Sequence, residues 1–217
     1  ENYFKRIKEY SGTSTEYMPS LGMPELIAAI QKYYADLSID YDKSQIAVTT
    51  GGTEALLFTF LAITDEGDEI LLPEPFYSNY MTFFTIAGAK CVPVTTTVEN
   101  GFHFTLEDLE SRVTDKTKAI LISNPSNPTG ACLTMDEVKM IAKFAMEHDL
   151  FIIADEVYRE FVFDGRPISS FGFVEGIDDR LIMIDSVSKR YNACGARIGT
   201  VLTKNPQVFG VVSKLCQ

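Results

Sequence analysis

Apolar and polar positions follow two rhythms along the chain. Leu26, Ile30, Tyr33 and Leu37, with Ile27 and Tyr34, recur at helical spacing and predict one face of a helix. A short apolar run at 46–50 predicts a strand, and the rather apolar stretch 53–63 predicts a helix. Further strands are predicted at 69–72, stopped by Pro73 and Pro75, and at 90–94, 118–123, 150–154, 180–185 and 197–203. A helix is predicted over 77–87, with Gly88 as its C-terminal stop. Thr105 with Asp108, and Thr134 with Glu137, have the spacing of a capping box. After the second box, Val138, Ile141, Ala142 and Ala145 share a helical face that runs to about His148.

Many of the predicted strands are continuous apolar runs, without the alternation of a half-exposed sheet. Strands covered on both faces read that way. The expected fold class is therefore α/β: a mostly parallel sheet of about seven strands with helices on both faces. Ligands of such sheets sit outside the carboxyl ends of the strands, so the residues just after each strand carry the chemistry.

Composition narrows the function classes. The chain has 217 residues, 46% of them hydrophobic, and a formal net charge of −11. That charge disfavours nucleic acid and anionic membrane as partners. The longest nearly apolar stretch, 56–63, is too short to cross a bilayer. Four scattered cysteines without a C-x-x-C predict buried free thiols and a reducing, cytoplasmic compartment. His103 and His148 are the only histidines, so a metal site is not expected. No G-x-S-x-G elbow supports a serine hydrolase.

Five predicted strands end in groups that a ligand could use. After 46–50 comes Gly51-Gly52-Thr53, opening a helix. Glycines there allow close approach, and the free amides of a helix start favour an anion such as phosphate. It is neither a P-loop nor a dinucleotide fingerprint, and as a Gly-Gly turn alone it could be only a turn. After 69–72 come Phe76, Tyr77 and Tyr80, which could stack on a planar ligand or serve as core. After 118–123, the stretch Asn124-Pro125-Ser126-Asn127-Pro128-Thr129-Gly130 makes a stiff turn that can aim the Asn127 amide. Asp155 ends an apolar strand, where a carboxylate needs a cation, a metal or a helix cap, and Tyr158 lies three residues on. After 180–185, Ser186, Ser188 and Lys189 precede Arg197.

One ligand would use all of these groups together. It needs a phosphate, a planar ring, a ring nitrogen that becomes cationic, a phenolic oxygen and an aldehyde. That description fits pyridoxal 5′-phosphate. The segment 186–199 also resembles the lysine-attachment pattern of the class I/II aminotransferases, S-x-S-K followed by G-x-R-x-G. These enzymes are fold type I of the pyridoxal-phosphate enzymes. Residues 124–130 are similar to the family's N-P-x-N-P-T-G, 155–158 to its D-x-x-Y, 51–55 to its phosphate-binding turn, and 75–80 to its cofactor-stacking segment. Tyr17 with Gly22 resembles the segment whose tyrosine reaches the phosphate of the neighbouring subunit.

The resemblance implies roles residue by residue. Lys189 would condense with the cofactor aldehyde, and later move the proton between the substrate α-carbon and the cofactor. Asp155 would keep the ring nitrogen protonated. Asn127 and Tyr158 would hydrogen-bond the phenolic oxygen. Gly52, Thr53, Ser186 and Arg197 would hold the phosphate, and Tyr77 would stack on the ring. The implied activity is amino-group transfer between an amino acid and a 2-oxo acid, aspartate-aminotransferase-like, in a homodimer. A C–S β-lyase or cyclopropane-carboxylate synthase would share the cofactor residues, and a non-catalytic sensing domain is a third reading. The resemblance places residues 1–217 in the large cofactor domain. The resemblance also implies an N-terminal arm, and a C-terminal small domain with a substrate-carboxylate arginine, that are not expected within these residues, so weak or absent turnover is expected of this chain alone.

Overall fold

The computed structural model describes residues 17–217, together with Lys5 and Glu9. Seven strands form one sheet: β1 (Ile46–Thr50), β2 (Glu69–Glu74), β3 (Lys90–Thr95), β4 (Thr117–Ser123), β5 (Phe151–Asp155), β6 (Leu181–Ser186) and β7 (Ile198–Thr203). Their spatial order is β1-β7-β6-β5-β4-β2-β3. Strands β3, β2, β4, β5 and β6 pair in parallel, whereas β7 is antiparallel to both β6 and β1. Six strands therefore run one way and only β7 runs back. The start of β7 lies at the same edge as the carboxyl ends of the other six.

Seven described helices cover the sheet: α1 (Pro24–Asp36), α2 (Gly51–Ile63), α3 (Tyr80–Ala87), α4 (Leu106–Glu110), α5 (Met135–Glu147), α6 (Val187–Arg190) and α7 (Pro206–Leu215). The strands bury both faces, as their apolar runs require. On one face Leu71, Ile120, Ile152 and Met183 pack with Ile27 and Tyr34 of α1, Leu109 of α4, and Val138 and Ile141 of α5. On the other, Leu72, Leu121, Ile153 and Ile182 pack with Phe60 of α2, Phe83 and Phe84 of α3, and Val212 of α7. Both predicted capping boxes form: the Thr105 and Thr134 hydroxyls accept from the Asp108 and Glu137 amides. The predicted α/β class, with a mostly parallel sheet of seven strands, is the fold observed.

The differences from the predicted elements have local causes. Strand β2 continues through Pro73 because its pairing with β4 stops at Leu71. Beyond that point only β3 adjoins it, and a missing amide there breaks no ladder. Helix α3 starts at Tyr80 instead of 77, leaving Tyr77 in the turn before it. Strands β5 and β6 each run one residue further than predicted, carrying Asp155 and Ser186 into the sheet. The one-turn helix α6 has too few residues to show a period. The four cysteines are free, but none is buried: Cys91, Cys132 and Cys216 are half-buried and Cys194 is exposed.

Gly199 shows how tightly β7 meets the start of α2. A Cβ on Gly199 would lie 2.3 Å from the Gly51 carbonyl carbon and 2.5 Å from the Gly52 nitrogen. Backbone atoms cannot give way as a side-chain tip can. Gly199→Ala is expected to lower stability by about 1–3 kcal/mol. Gly210 in α7 has open space around its Cβ position. Gly210→Ala should be neutral or raise stability by about 0.5–1 kcal/mol. Urea midpoints of the two variants check the pair, and equal midpoints would contradict the close approach.

Candidate active site

Nine residues marked by the sequence line one cavity of about 190 Å³ at the carboxyl edge of the sheet: Gly52, Thr53, Tyr77, Asn127, Asp155, Tyr158, Ser186, Lys189 and Arg197. Tyr17 does not, since its side chain is fully exposed to solvent. The convergence follows from register. Ser123 of β4 stands opposite Asp155 of β5, and Ser186 of β6 opposite Gly199 of β7. The loops leaving these strands open on the same side.

One end of the cavity is a cradle of hydrogen-bond donors. Helix α2 begins at Gly51 with φ of 78°, in the left-handed region, and no side chain caps its first turn. The Gly52 and Thr53 amides there donate to no partner among the described residues and lie on the positive end of the helix, as donors open to a ligand. Ser186 caps α6 by accepting from the Ser188 amide at 3.1 Å, and its hydroxyl lies 2.8 Å from the Ser188 hydroxyl. Arg197 sits in the left-handed region, φ 51°, just before β7. Its hydrogen bond among the described residues is from Nη1 to the Cys194 carbonyl at 3.2 Å. A Cβ on Gly51 would lie 2.5 Å from Arg197 Nη2, so only glycine lets the guanidinium rest against this turn. Amides, hydroxyls and a guanidinium that has no carboxylate partner among the described residues together suit a phosphate.

The other end is acidic and closed. Asp155 is buried, and its Oδ2 accepts from the Tyr80 hydroxyl at 2.6 Å. Burial pushes its carboxyl up to about 6; the Tyr80 and Val157 donors pull it down, and Asp185 and Glu156 add to the rise. A cation placed beside Asp155 would relieve this burial. The sequence left Tyr80 open between stacking on a ligand and serving as core; instead its hydroxyl bonds Asp155. Its hydroxyl partner lies 75 positions away, beyond the reach of any local pattern. Tyr77, half-exposed, meets the Tyr80 ring edge-on with centroids 5.5 Å apart. It is thus braced at the cavity mouth.

The two asparagines of the 124–130 turn divide their tasks. Asn124 is buried: its Nδ2 donates to the Ser169 carbonyl at 3.1 Å and its Oδ1 accepts from the Leu133 amide at 3.0 Å. Asn127 makes no such side-chain bond among the described residues and faces the cavity. Lys189 Nζ lies 5.5 Å from the centre of the Tyr158 ring. Lysine, phenol and amide thus line the same cavity as the cradle and Asp155. Cys194 also lines the cavity, in the loop between Lys189 and Arg197.

The family model described as aminotransferase class I and II matches residues 2–216. The chain is 38% identical over 202 residues to aromatic-amino-acid aminotransferase 2 of Thermococcus litoralis, covering 90% of this chain and 52% of the relative. It is 37% identical over 204 residues to an aspartate aminotransferase of Pyrococcus abyssi, covering 91% and 52%. The solved aromatic aminotransferase of Pyrococcus horikoshii OT3 superposes with a TM-score of 0.89 at 35% identity, over 93% of this chain and 54% of that one. The chain thus spans about half the length of these relatives. It belongs to the class I and II aminotransferases.

Proposed function

We propose that residues 1–217 form the large, cofactor-binding domain of an aspartate-aminotransferase-like enzyme that uses pyridoxal 5′-phosphate. The observation that carries this reading is the pairing, in one cavity, of an anion cradle with a lysine and a buried carboxylate. The donor set fits the group at each end. The cradle made by Gly52, Thr53, Ser186 and Arg197 would take the phosphate. Asp155, raised by burial, would take a protonated ring nitrogen. Tyr77 would cover a ring face, and Asn127 and Tyr158 would donate to the phenolic oxygen.

Bound there, pyridoxal 5′-phosphate supplies an aldehyde that condenses with amines and a ring that accepts the electron pair of a deprotonated carbon. The chain supplies the rest. Lys189 would hold the cofactor, and its amine, once freed, would be placed to move a proton at the substrate α-carbon. Asp155 would keep a proton on the ring nitrogen through charge attraction. Arg197 and the α2 amides would hold the phosphate in place. The substrates would be an amino acid and a 2-oxo acid. Tyr17, exposed in the single chain, would reach the phosphate of a second subunit in a homodimer. The free thiols suit a cytoplasmic enzyme.

Two predictions test this reading. The protein mixed with pyridoxal phosphate should show a visible band that borohydride bleaches while fixing the cofactor on the Lys189 peptide. Lys189→Ala should abolish the fixed adduct, and an adduct that persists would refute the assignment. With an amino acid supplied, any turnover by this chain should be slow and give the matching 2-oxo acid with the amino group left on the cofactor; release of a thiol and ammonia would indicate a lyase instead.

The second concerns Asp155. Its folded carboxyl titrates near 6, above the ordinary carboxylate value of about 4. The folded chain therefore binds more protons between these values, and this group's contribution to stability falls as pH rises through that window. Without cofactor, Asp155→Asn should gain on the parent by about 1–3 kcal/mol between pH ~4 and ~7. With cofactor, the same variant should retain pyridoxal phosphate more weakly than the parent. Urea midpoints and dialysis measure the two, and unchanged retention would remove Asp155 from the site.

A further inference from the structure

Lys189 sits on a helix that cannot hold itself. Helix α6 has four residues, and a single turn has no independent stability in water. Its direction must come from anchors. One is Ser186, which caps it. The other is Arg190, the residue directly after Lys189. Consecutive side chains on a helix diverge by about 100°. Pulling Arg190 to one side of the sheet edge therefore turns Lys189 toward the other.

Arg190 is held from several elements at once. Its Nη2 donates to Asp185 of β6 at 2.9 and 2.6 Å. Its Nε lies 2.8 Å from Glu160, in the loop after β5, as a charge contact without an aligned hydrogen bond. Its guanidinium stacks 4.0 Å from the centre of the Tyr33 ring of α1, and the Tyr33 hydroxyl donates to Glu160. Asp185 in turn accepts from the Tyr34 hydroxyl at 2.9 Å and faces Arg159 at 3.6 Å. Arg159 has no exposed side chain, and its Nε donates to Glu156 at 2.7 Å.

Three members of this set are next-door neighbours of cavity residues: Glu156 follows Asp155, Asp185 precedes Ser186, and Arg190 follows Lys189. Arg190 is the bridge that ties the loop after β5 to the helix carrying the lysine. We propose that Arg190 is a positioning residue: through Asp185 and Glu160 it fixes α6 so that Lys189 projects into the cavity on the side of Asp155 and Tyr158. The proposal rests on the reading of Lys189 as the cofactor lysine.

The test compares Arg190→Met, Arg190→Lys and Glu160→Gln with the parent chain, after circular dichroism and urea midpoints establish folding. In cofactor-free protein, trace acetic anhydride labels lysines, and the Lys189 rate is read by peptide mass against Lys204 and Lys214 across pH. With pyridoxal phosphate added, the pH midpoint of the visible band and the rate of borohydride-fixed capture on Lys189 are read. Arg190→Met should slow capture about tenfold and shift both the labelling ratio and the band midpoint. Arg190→Lys should restore part of the loss, and Glu160→Gln should shift the same readouts by less.

A folded Arg190→Met protein that labels and captures like the parent overturns the proposal. Should that variant not fold, Glu160→Gln decides, and unchanged labelling and capture overturn it. Failure of the underlying reading has a different signature: the parent chain itself then carries its fixed cofactor on a lysine other than Lys189.

Discussion

Arg159 has no exposed side chain, and together with Arg190 on Asp185 it supplies the charge that lets the acidic edge of this sheet exist. Asp155, Glu156 and Asp185 are all buried within the carboxyl ends of two neighbouring strands. Three carboxylates so placed would repel one another and lose their hydration. Arg159 meets Glu156 and Asp185 directly, and Tyr33 and Tyr34 complete its hydrogen bonds. Serine hydroxyl and backbone amide from Ser170 and Phe171 satisfy the remaining lone pairs of Glu156. With those two carboxylates bound underneath, Asp155 alone is left to face the cavity.

The reversed strand β7 builds the opposite end. Because it runs against the other six, its first residues arrive at the edge where theirs end. Arg197 thereby reaches the α2 amide turn from a segment far along the chain, without a long connection. The two glycines at this crossing have complementary tasks. Gly199 admits the backbone of the turn, and Gly51 leaves room for the guanidinium. Packing and chemistry coincide there: the same close approach that joins β7 to α2 aims a cation at the helix start.

The sequence was most legible where information is local. Apolar runs, capping boxes and strand-end motifs are each contained in a few residues. The sheet, both helix layers and nine cavity residues could be read from them. What could not be read is held by long separations. Tyr33 and Tyr34 looked like part of a core stripe, and Tyr34 is indeed buried in it, but their hydroxyls bond Glu160 and Asp185 more than a hundred positions away. Tyr80 likewise read as an aromatic beside Tyr77, and its hydroxyl serves Asp155. An aromatic stripe states where a ring goes and leaves open where its hydroxyl points. Helix α6 escaped for a different reason: four residues are held by caps and ion pairs, and no periodicity is needed.

The cavity is consequently polarised by design of the backbone, before any ligand enters. Unsatisfied donors collect at the β7 and α2 end, and a carboxylate destabilised by burial waits at the β5 end. A ligand with an anion alone would leave Asp155 uncompensated, and one with a cation alone would leave Arg197 and the α2 amides unspent. A rigid molecule carrying both charges at opposite ends satisfies each, because relieving one end also orients it for the other. Tyr77, Lys189, Asn127 and Tyr158 line the same cavity and would meet the middle of such a molecule. The preference for a ligand charged at both ends is then one electrostatic consequence of how two strands end and one begins.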